Sequence, residues 1–314
     1  MKDMADMNGI IVIDKPKGLT SARVVSIVKK ALNAKKVGHA GTLDPFAEGV
    51  LICCVNQATK LADFLLKGAK SYVAELKLGE ETDTQDLTGT VVSSTAPGNY
   101  TTDSIDRVFK EFEGSIEQRP PVYSALKHKG TPLYKLARKG QPVQKPSRQV
   151  EIYRISILEI ALPLIRFEVS CSAGTYIRSL AADVGKKLGC GAHLNALKRT
   201  ASSGFTLDQA VALSELQGAT SVNQLAEKFI GMADALPAMP AYTVDRPLAK
   251  KIRHGQVITT RDLGAAGAEK DKSSRISGSN IKIVDQSGEL VAILNYQEHE
   301  QRLNYRCVFP REDA

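Results

Sequence analysis

Gly38-His39-Ala40-Gly41-Thr42-Leu43-Asp44-Pro45, followed after four residues by the apolar run at 50–55, is the stretch on which the reading of this chain turns. Gly38 and Gly41 open backbone angles closed to other residues, and Pro45 biases Asp44 towards an extended conformation. One carboxylate is thereby presented on a glycine-bracketed turn just ahead of a buried strand, and loops of this kind carry function more often than packing. An isolated Asp-Pro is more often a plain hydrogen-bonded turn. The rest of the chain tips the balance the other way.

Outward from this loop, residues 10–13 read as a buried strand, Lys15-Pro16-Lys17-Gly18 as a turn, and Ser21 as the cap of a helix over 22–32. Residues 59–66 predict a short helix ended by Gly68. Residues 71–78 alternate, which sets Tyr72 on the inward face with Ala74, Leu76 and Leu78, as a core residue or as the lining of a pocket. Residues 150–160 and 164–171 predict a pair of strands. Ser172-Ala173-Gly174-Thr175 is a turn, with Thr175 capping a helix whose Ile177, Leu180, Ala181, Val184 and Leu188 keep helical spacing up to Gly189. Arg178 falls in its first turn, where the helix dipole favours anions, a mildly unfavourable place unless it has a carboxylate or phosphate partner; an ordinary surface arginine is the other reading.

A chain of 314 residues, 43% hydrophobic and 24% charged, can bury a full core and suits one large domain plus a small one. No run approaches the ~18 consecutive apolar residues of a membrane span, and the first eight residues are too polar for a signal peptide. A cytoplasmic protein is expected. Five cysteines, with no Cys-x-x-Cys, argue against a disulfide framework or a zinc site, and five scattered histidines give no metal support. Gly189-Cys190-Gly191 lacks the third glycine and the preceding strand of a dinucleotide turn.

The net charge is +8, and its distribution says more than its sum. Between Arg119 and Arg148 lie eight lysines and arginines and no acid, with Tyr123 and Tyr134 interleaved. Such a segment suits phosphate neutralisation with occasional base stacking, and points to a nucleic acid.

Several separate stretches resemble one family. They are Asp14-Lys15-Pro16, the Asp44 loop with Phe46-Ala47-Glu48-Gly49-Val50-Leu51, Lys70-Ser71-Tyr72, Thr82-Asp83-Thr84-Gln85-Asp86 with Gly89, Gly174-Thr175-Tyr176-Ile177-Arg178-Ser179-Leu180, and Gly191-Ala192-His193-Leu194. In this order, from about residue 9 to 216, they look like the TruB family of tRNA pseudouridine-55 synthases. The resemblance implies an α/β (α+β) fold, with a mixed, largely antiparallel central sheet flanked by helices. It implies a catalytic domain over 1–240, with a basic RNA-clamping insertion at about 115–150, and a small β-rich PUA-like RNA-binding domain over 241–314. Residues 235–240 read as a linker before that last part, within which residues 281–284, 290–295 and 305–309 read as strands, Ser287-Gly288 as a turn, Gly255-Gln256-Val257 as its best motif and 264–272 as a flexible insertion.

By the same resemblance the activity is isomerisation of a T-loop uridine of tRNA, flipped out of its stack. No cofactor and no metal would be needed, the partner is the T-arm, and the protein is a monomer. Asp44 matches the catalytic aspartate, as nucleophile or as partner of a ribose-centred intermediate, and must be ionised. Arg178 resembles its ion-pair partner, holding the carboxyl's pKa down. Tyr72 matches the tyrosine that stacks on the base and is a candidate to move a proton. His39, Lys15, Pro16, Tyr176 and Leu197 resemble substrate-binding parts of the pocket. Two other readings stay open: a tRNA-binding or folding chaperone with secondary chemistry, and a guide-RNA-dependent relative of the same fold.

Overall fold

The computed structural model describes residues 7–218, 222–265, 280–297 and 302–311. Its first strands, β1 (Gly9–Lys15) and β3 (Glu48–Val55), lie antiparallel, with α1 (Ser21–Ala31) and the short β2 (Val37–His39) between them in sequence. Strand β3 is buried from Gly49 to Val55 on both faces, which is why its sequence is a continuous apolar run. Its two faces feed different cores. Val50, Ile52 and Cys54 pack with Ile10 and Val12, whereas Leu51, Cys53 and Val55 pack with Ile11, Ile13, Val24 and Val28.

A short helical passage ending in α2 (Ala62–Leu66) leads to β4 (Lys70–Leu78), whose burial alternates residue by residue and leaves Tyr72 inward as its pattern requires. A ribbon of β5 (Glu80–Thr82) and β6 (Val91–Ser94) follows, then α3 (Thr102–Lys110) and β7 (Gly114–Gln118). The basic segment holds only β8 (Lys127–His128), β9 (Thr131–Pro132) and α4 (Leu133–Ala137). The chain returns through the hairpin β10 (Arg148–Ala161) and β11 (Leu164–Cys171), α5 (Ile177–Leu188) and β12 (Ala192–Ser202). Between helices α3 and α5 and the strands β4, β10, β11 and β12 lies the third core, in which Phe109 meets Phe167 edge to face at 5.2 Å.

Strands β13 (Phe205–Thr206) and β14 (Val211–Ala212), helices α6 (Leu213–Gly218) and α7 (Val222–Ala226), and β15 (Phe229–Gly231) complete this part. The main sheet runs β14-β1-β3-β12-β4-β11-β10-β7, antiparallel except where β14 meets β1 and β12 meets β3. The mixed, largely antiparallel sheet agrees with the expected class. Its central insertion matters most: β12 lies between β3 and β4, so Arg199 faces Gly49 on one side and Tyr72 on the other.

Strand β16 (Ala241–Val244), helices α8 (Arg246–Arg253) and α9 (Thr260–Ala265), and strands β17 (Asn280–Asp285), β18 (Leu290–Gln297) and β19 (Arg302–Val308) form a second, four-stranded sheet unit. The expected 264–272 insertion lies, from residue 266 on, outside the described residues. Among the described residues no helix is long and apolar enough to cross a membrane, and Cys53, Cys54, Cys171, Cys190 and Cys307 are all free thiols.

Three local expectations are corrected. Thr20 caps α1, accepting from the Arg23 N–H at 3.1 Å, because the Ser21 hydroxyl is turned inward. Thr175 does not cap α5: its hydroxyl donates to the Ser172 carbonyl at 3.1 Å, and the helix starts with no side-chain cap. Residues 235–240 are no free linker, since Ala235 and Leu236 are buried with Leu290, Ile293 and Phe309, and Lys282 Nζ donates to the Ala233 and Leu236 carbonyls at 2.7 and 2.9 Å. Short runs rich in Pro and Ala have no period from which to tell a packed connection from an exposed one.

Candidate active site

The loop between β2 and β3 is fixed along its length. Ala40 is held by its N–H to the Ile52 carbonyl at 3.0 Å, and Ser21 Oγ accepts from the Leu43 N–H at 2.8 Å while donating to the Leu43 carbonyl at 2.9 Å. The Gly18 N–H donates to the Pro45 carbonyl at 2.7 Å, and Ala47 closes a turn on the Asp44 carbonyl at 3.1 Å. Leu43, Phe46 and Ala47 are buried in the core that also contains Tyr72 and Ile177. Asp44, between these anchors, keeps 35% of its side chain exposed. A rigid backbone thus offers one carboxylate to the outside.

Its partner comes from α5. Arg178 is 3% exposed, and its Nε lies 2.9 Å from Asp44 Oδ2, an ion pair whose N–H is not aligned on the oxygen. Nη1 and Nη2 donate to the Thr84 and Tyr123 carbonyls at 2.7 and 2.8 Å. A second carboxylate, Asp86 Oδ2, stands 3.4 Å from Nη1. Asp86 is itself pinned, its Oδ1 accepting from Thr84 Oγ1, the Thr88 N–H and Thr88 Oγ1. The unfavourable helix position of Arg178 is thereby offset by two acids.

Burial pushes the Asp44 carboxyl above the ordinary aspartate range; Arg178 pulls it back, Asp86 pushes it further up, and Lys15 pulls it down. Arg178 pulls this pKa down as expected, against a desolvation that outweighs it and a second acid that shares the same cation.

Lys15, fully buried, donates to the Pro16 and Leu19 carbonyls at 2.9 and 2.7 Å and approaches the Pro45 carbonyl at 3.4 Å, so it ties the turn after β1 to the Asp44 loop. Burial lowers its pKa to about 8, against the pull of Asp44. Pro16 is exposed beside it. Tyr72 is 6% exposed, and burial raises its phenol's pKa while Arg199 lowers it. Leu197 shares its core. His39 ends β2, its Nδ1 buried without a hydrogen-bond partner and its pKa lowered by burial and by Arg199.

Tyr176 lies apart from Asp44's immediate contacts: Gln118 clasps its backbone, accepting from its N–H at 2.7 Å and donating to its carbonyl at 3.0 Å, and the Arg148 guanidinium covers its ring at 5.2 Å. Sequence reasoning assigned no role to Asp86, Gln118 or Arg199. For Asp86 a signal existed, as one of two acids in the Thr82–Asp86 turn; for the other two none did.

The root of the basic segment meets α5 at a cleft of about 330 Å³, lined by Asp83, Gln85, Arg119, Ser179 and Asp183 among others, and by neither Asp44 nor Tyr72. Arg119, Lys127, Lys129, Lys135, Arg138 and Lys139 are exposed. The two tyrosines are not free stacking platforms, since Tyr123 donates to Asp83 Oδ2 at 3.2 Å and Tyr134 lies under Arg138 at 5.7 Å. Among the described residues, no group of three or more His, Cys, Asp or Glu could hold a metal.

The family model described as "TruB family pseudouridylate synthase (N terminal domain)" matches residues 29–177, and that of the "tRNA pseudouridylate synthase B C-terminal domain" matches 178–237. A "tRNA pseudouridine synthase B" of Geobacter sulfurreducens is 45% identical over 82% of this chain and 84% of its own length; one of Bacillus pumilus is 38% identical over 95% of each. Among solved structures, a chain of a Cbf5-Nop10-Gar1 complex superposes with a TM-score of 0.74 at 29% identity, covering 99% of this chain and 87% of that one. By its two matched domains and these full-length relatives, the chain belongs to the TruB family of pseudouridylate synthases.

Proposed function

We propose that this protein is a tRNA pseudouridine synthase, an isomerase that converts the T-loop uridine at position 55 to pseudouridine. In this reaction the C1′–N1 bond breaks, the freed uracil turns, and a C5–C1′ bond forms; C5 gives up a proton and N1 acquires one, so no electrons are exchanged with a co-reactant. Asp44 acts as nucleophile or as partner of the ribose-centred intermediate, and either role demands its ionised form. Arg178 supplies the charge that makes this possible in a buried setting, Tyr72 packs on the base and is the candidate to move a proton, and Lys15, Pro16, His39, Leu197 and Tyr176 shape the site.

Flipping the uridine costs a few kcal/mol, offset by phosphate contacts of the exposed basic segment. The catalytic unit spans 1–240, and 241–314 is a PUA-like RNA-binding unit. The enzyme works as a cytoplasmic monomer.

One observation carries this reading: a carboxylate on a rigid loop, open to the outside on one flank and paired at 2.9 Å with a buried guanidinium on the other. The test is tRNA carrying tritium at C5 of uridine, scored for label released to water. Asp44→Asn is expected to abolish release while tRNA affinity stays within a few-fold. Equal loss of both would favour a chaperone. The basic segment speaks against a guide-dependent reading, and release from bare tRNA by the isolated chain would exclude it.

A further inference from the structure

We propose that Arg199 is the positioning residue that holds the Asp44 loop and the Tyr72 side chain in one fixed relation. The inference rests on the reading of Asp44 and Tyr72 as the groups that meet the substrate.

Arg199 is 1% exposed and ranks among the largest fully buried side chains of the protein. Its Nε donates to the Val50 carbonyl at 2.7 Å and its Nη2 to the Gly41 carbonyl at 3.0 Å. Those carbonyls are the exit and the entry of the loop that carries Asp44. The exit is moulded on this residue, since a Cβ on Gly49 would lie only 2.2 Å from the Arg199 carbonyl oxygen, and at the entry Gly41 packs in ordinary contact with its guanidinium; the two glycines have φ of +100° and +108°. One side chain therefore closes the mouth of the loop like a clasp.

On its other flank Arg199 is the register partner of Tyr72, which puts the two side chains on the same face of adjacent strands. The guanidinium lies near enough to the phenol to lower its pKa against the burial that raises it. Loop and phenol thus share one anchor.

Structure alone does not require a cation here. No carboxylate pairs with Arg199 among the described residues, and Lys70, whose Nζ is spent on the Leu66 and Gly68 carbonyls, is a second buried cation beside it. An apolar residue of similar volume would fill the space without the cost of desolvating a charge. What it would lack is a rigid fork that reaches two loop carbonyls while keeping its charge beside the phenol.

The test uses the full chain with C5-tritiated tRNA under single turnover, tRNA affinity by filter binding, and thermal melting. Arg199→Met is expected to slow release about 100-fold or more, the scale of a misplaced reacting group, with tRNA affinity changed less than about threefold. Arg199→Lys, which keeps the charge but not the fork, should be slowed about tenfold. In a Tyr72→Phe background, Arg199→Met should cost far less than in wild type, because both act through one arrangement.

A rate for Arg199→Met within about threefold of wild type, parallel loss of rate and affinity, or full additivity with Tyr72→Phe overturns the proposal. Should Arg199→Met fail to melt cooperatively, Arg199→Lys decides: slowed with affinity kept supports the proposal, and a wild-type rate overturns it. Label release by Asp44→Asn at the wild-type rate would overturn the functional reading and this inference with it. Loss in Asp44→Asn beside a normal Arg199→Met overturns this inference alone.

Discussion

At the scale of single residues, the chemistry rests on an acid pulled two ways. Burial raises the Asp44 pKa, Arg178 lowers it and Asp86 raises it. On the proposed role of Asp44, in which the ionised form is the working one, the rate of pseudouridine formation is expected to fall on acidification through a midpoint above the ordinary aspartate value. Arg178→Met, which removes the neighbouring cation, should move that midpoint up. Asp86→Asn, which removes a like charge, should move it down, while lowering the plateau about tenfold as Arg178 loses one of its two acids. Single-turnover rates across the acid range check both signs, and a shift of the same sign in the two variants would refute the account.

The placements of Asp44 on its turn, Tyr72 on the inward face of β4 and Arg178 in the first turn of α5 were legible in the sequence, because each follows from a local pattern. Asp86 and Arg199 were not, because a charge in an irregular turn or a strand reads as surface until the fold supplies its partners.

At the scale of elements, α5 is positioned by the residues that flank it. Gly189 ends it at φ +81°, as its sequence announces, but its start is set by Gln118 at the end of β7, which is 1% exposed and bonds both backbone groups of Tyr176. The Tyr176 carbonyl also accepts from the Leu180 N–H, so loss of the glutamine strands chiefly the N–H. Gln118→Ala is expected to cost about 1–3 kcal/mol in denaturant unfolding, and to slow catalysis by loosening the turn that holds Arg178. No local pattern betrays this clasp, since a glutamine at a strand end is ordinary. The helix body, by contrast, follows from its apolar spacing.

At the scale of the whole molecule, two features concern the parts rather than the site. The first is the basic segment. Each phosphate neutralised adds about 0.7–0.9 to the steepness of log affinity against log salt. Replacing Lys135, Arg138 and Lys139 together by Gln should flatten that slope by about 2–3 while leaving the rate at saturating tRNA within a few-fold. A slope unchanged by the triple variant would remove the electrostatic account.

The second feature is the docking of the C-terminal sheet. Leu290, Ile293 and Phe309 share a core with Ile10, Val50 and Leu65, while Gln57 and Lys60 donate to the Pro310 and Val308 carbonyls at 2.9 and 2.7 Å. A chain ending at residue 240 is therefore expected to melt at lower temperature and to aggregate, because it uncovers that shared apolar surface. A melting curve and a light-scattering trace check it.

Periodicity and special residues, read along the chain, determined the buried run of β3, the alternation of β4, the body of α5 and the exposed turn that offers Asp44, because those properties depend on near neighbours. The tertiary structure alone decided that β12 passes between β3 and β4, that Asp86 shares Arg178, and that Arg199 bonds the loop and pairs in register with Tyr72. These are contacts across some 90 to 160 residues, and pairings at such separation are selected by how whole faces bury together, which no local pattern encodes.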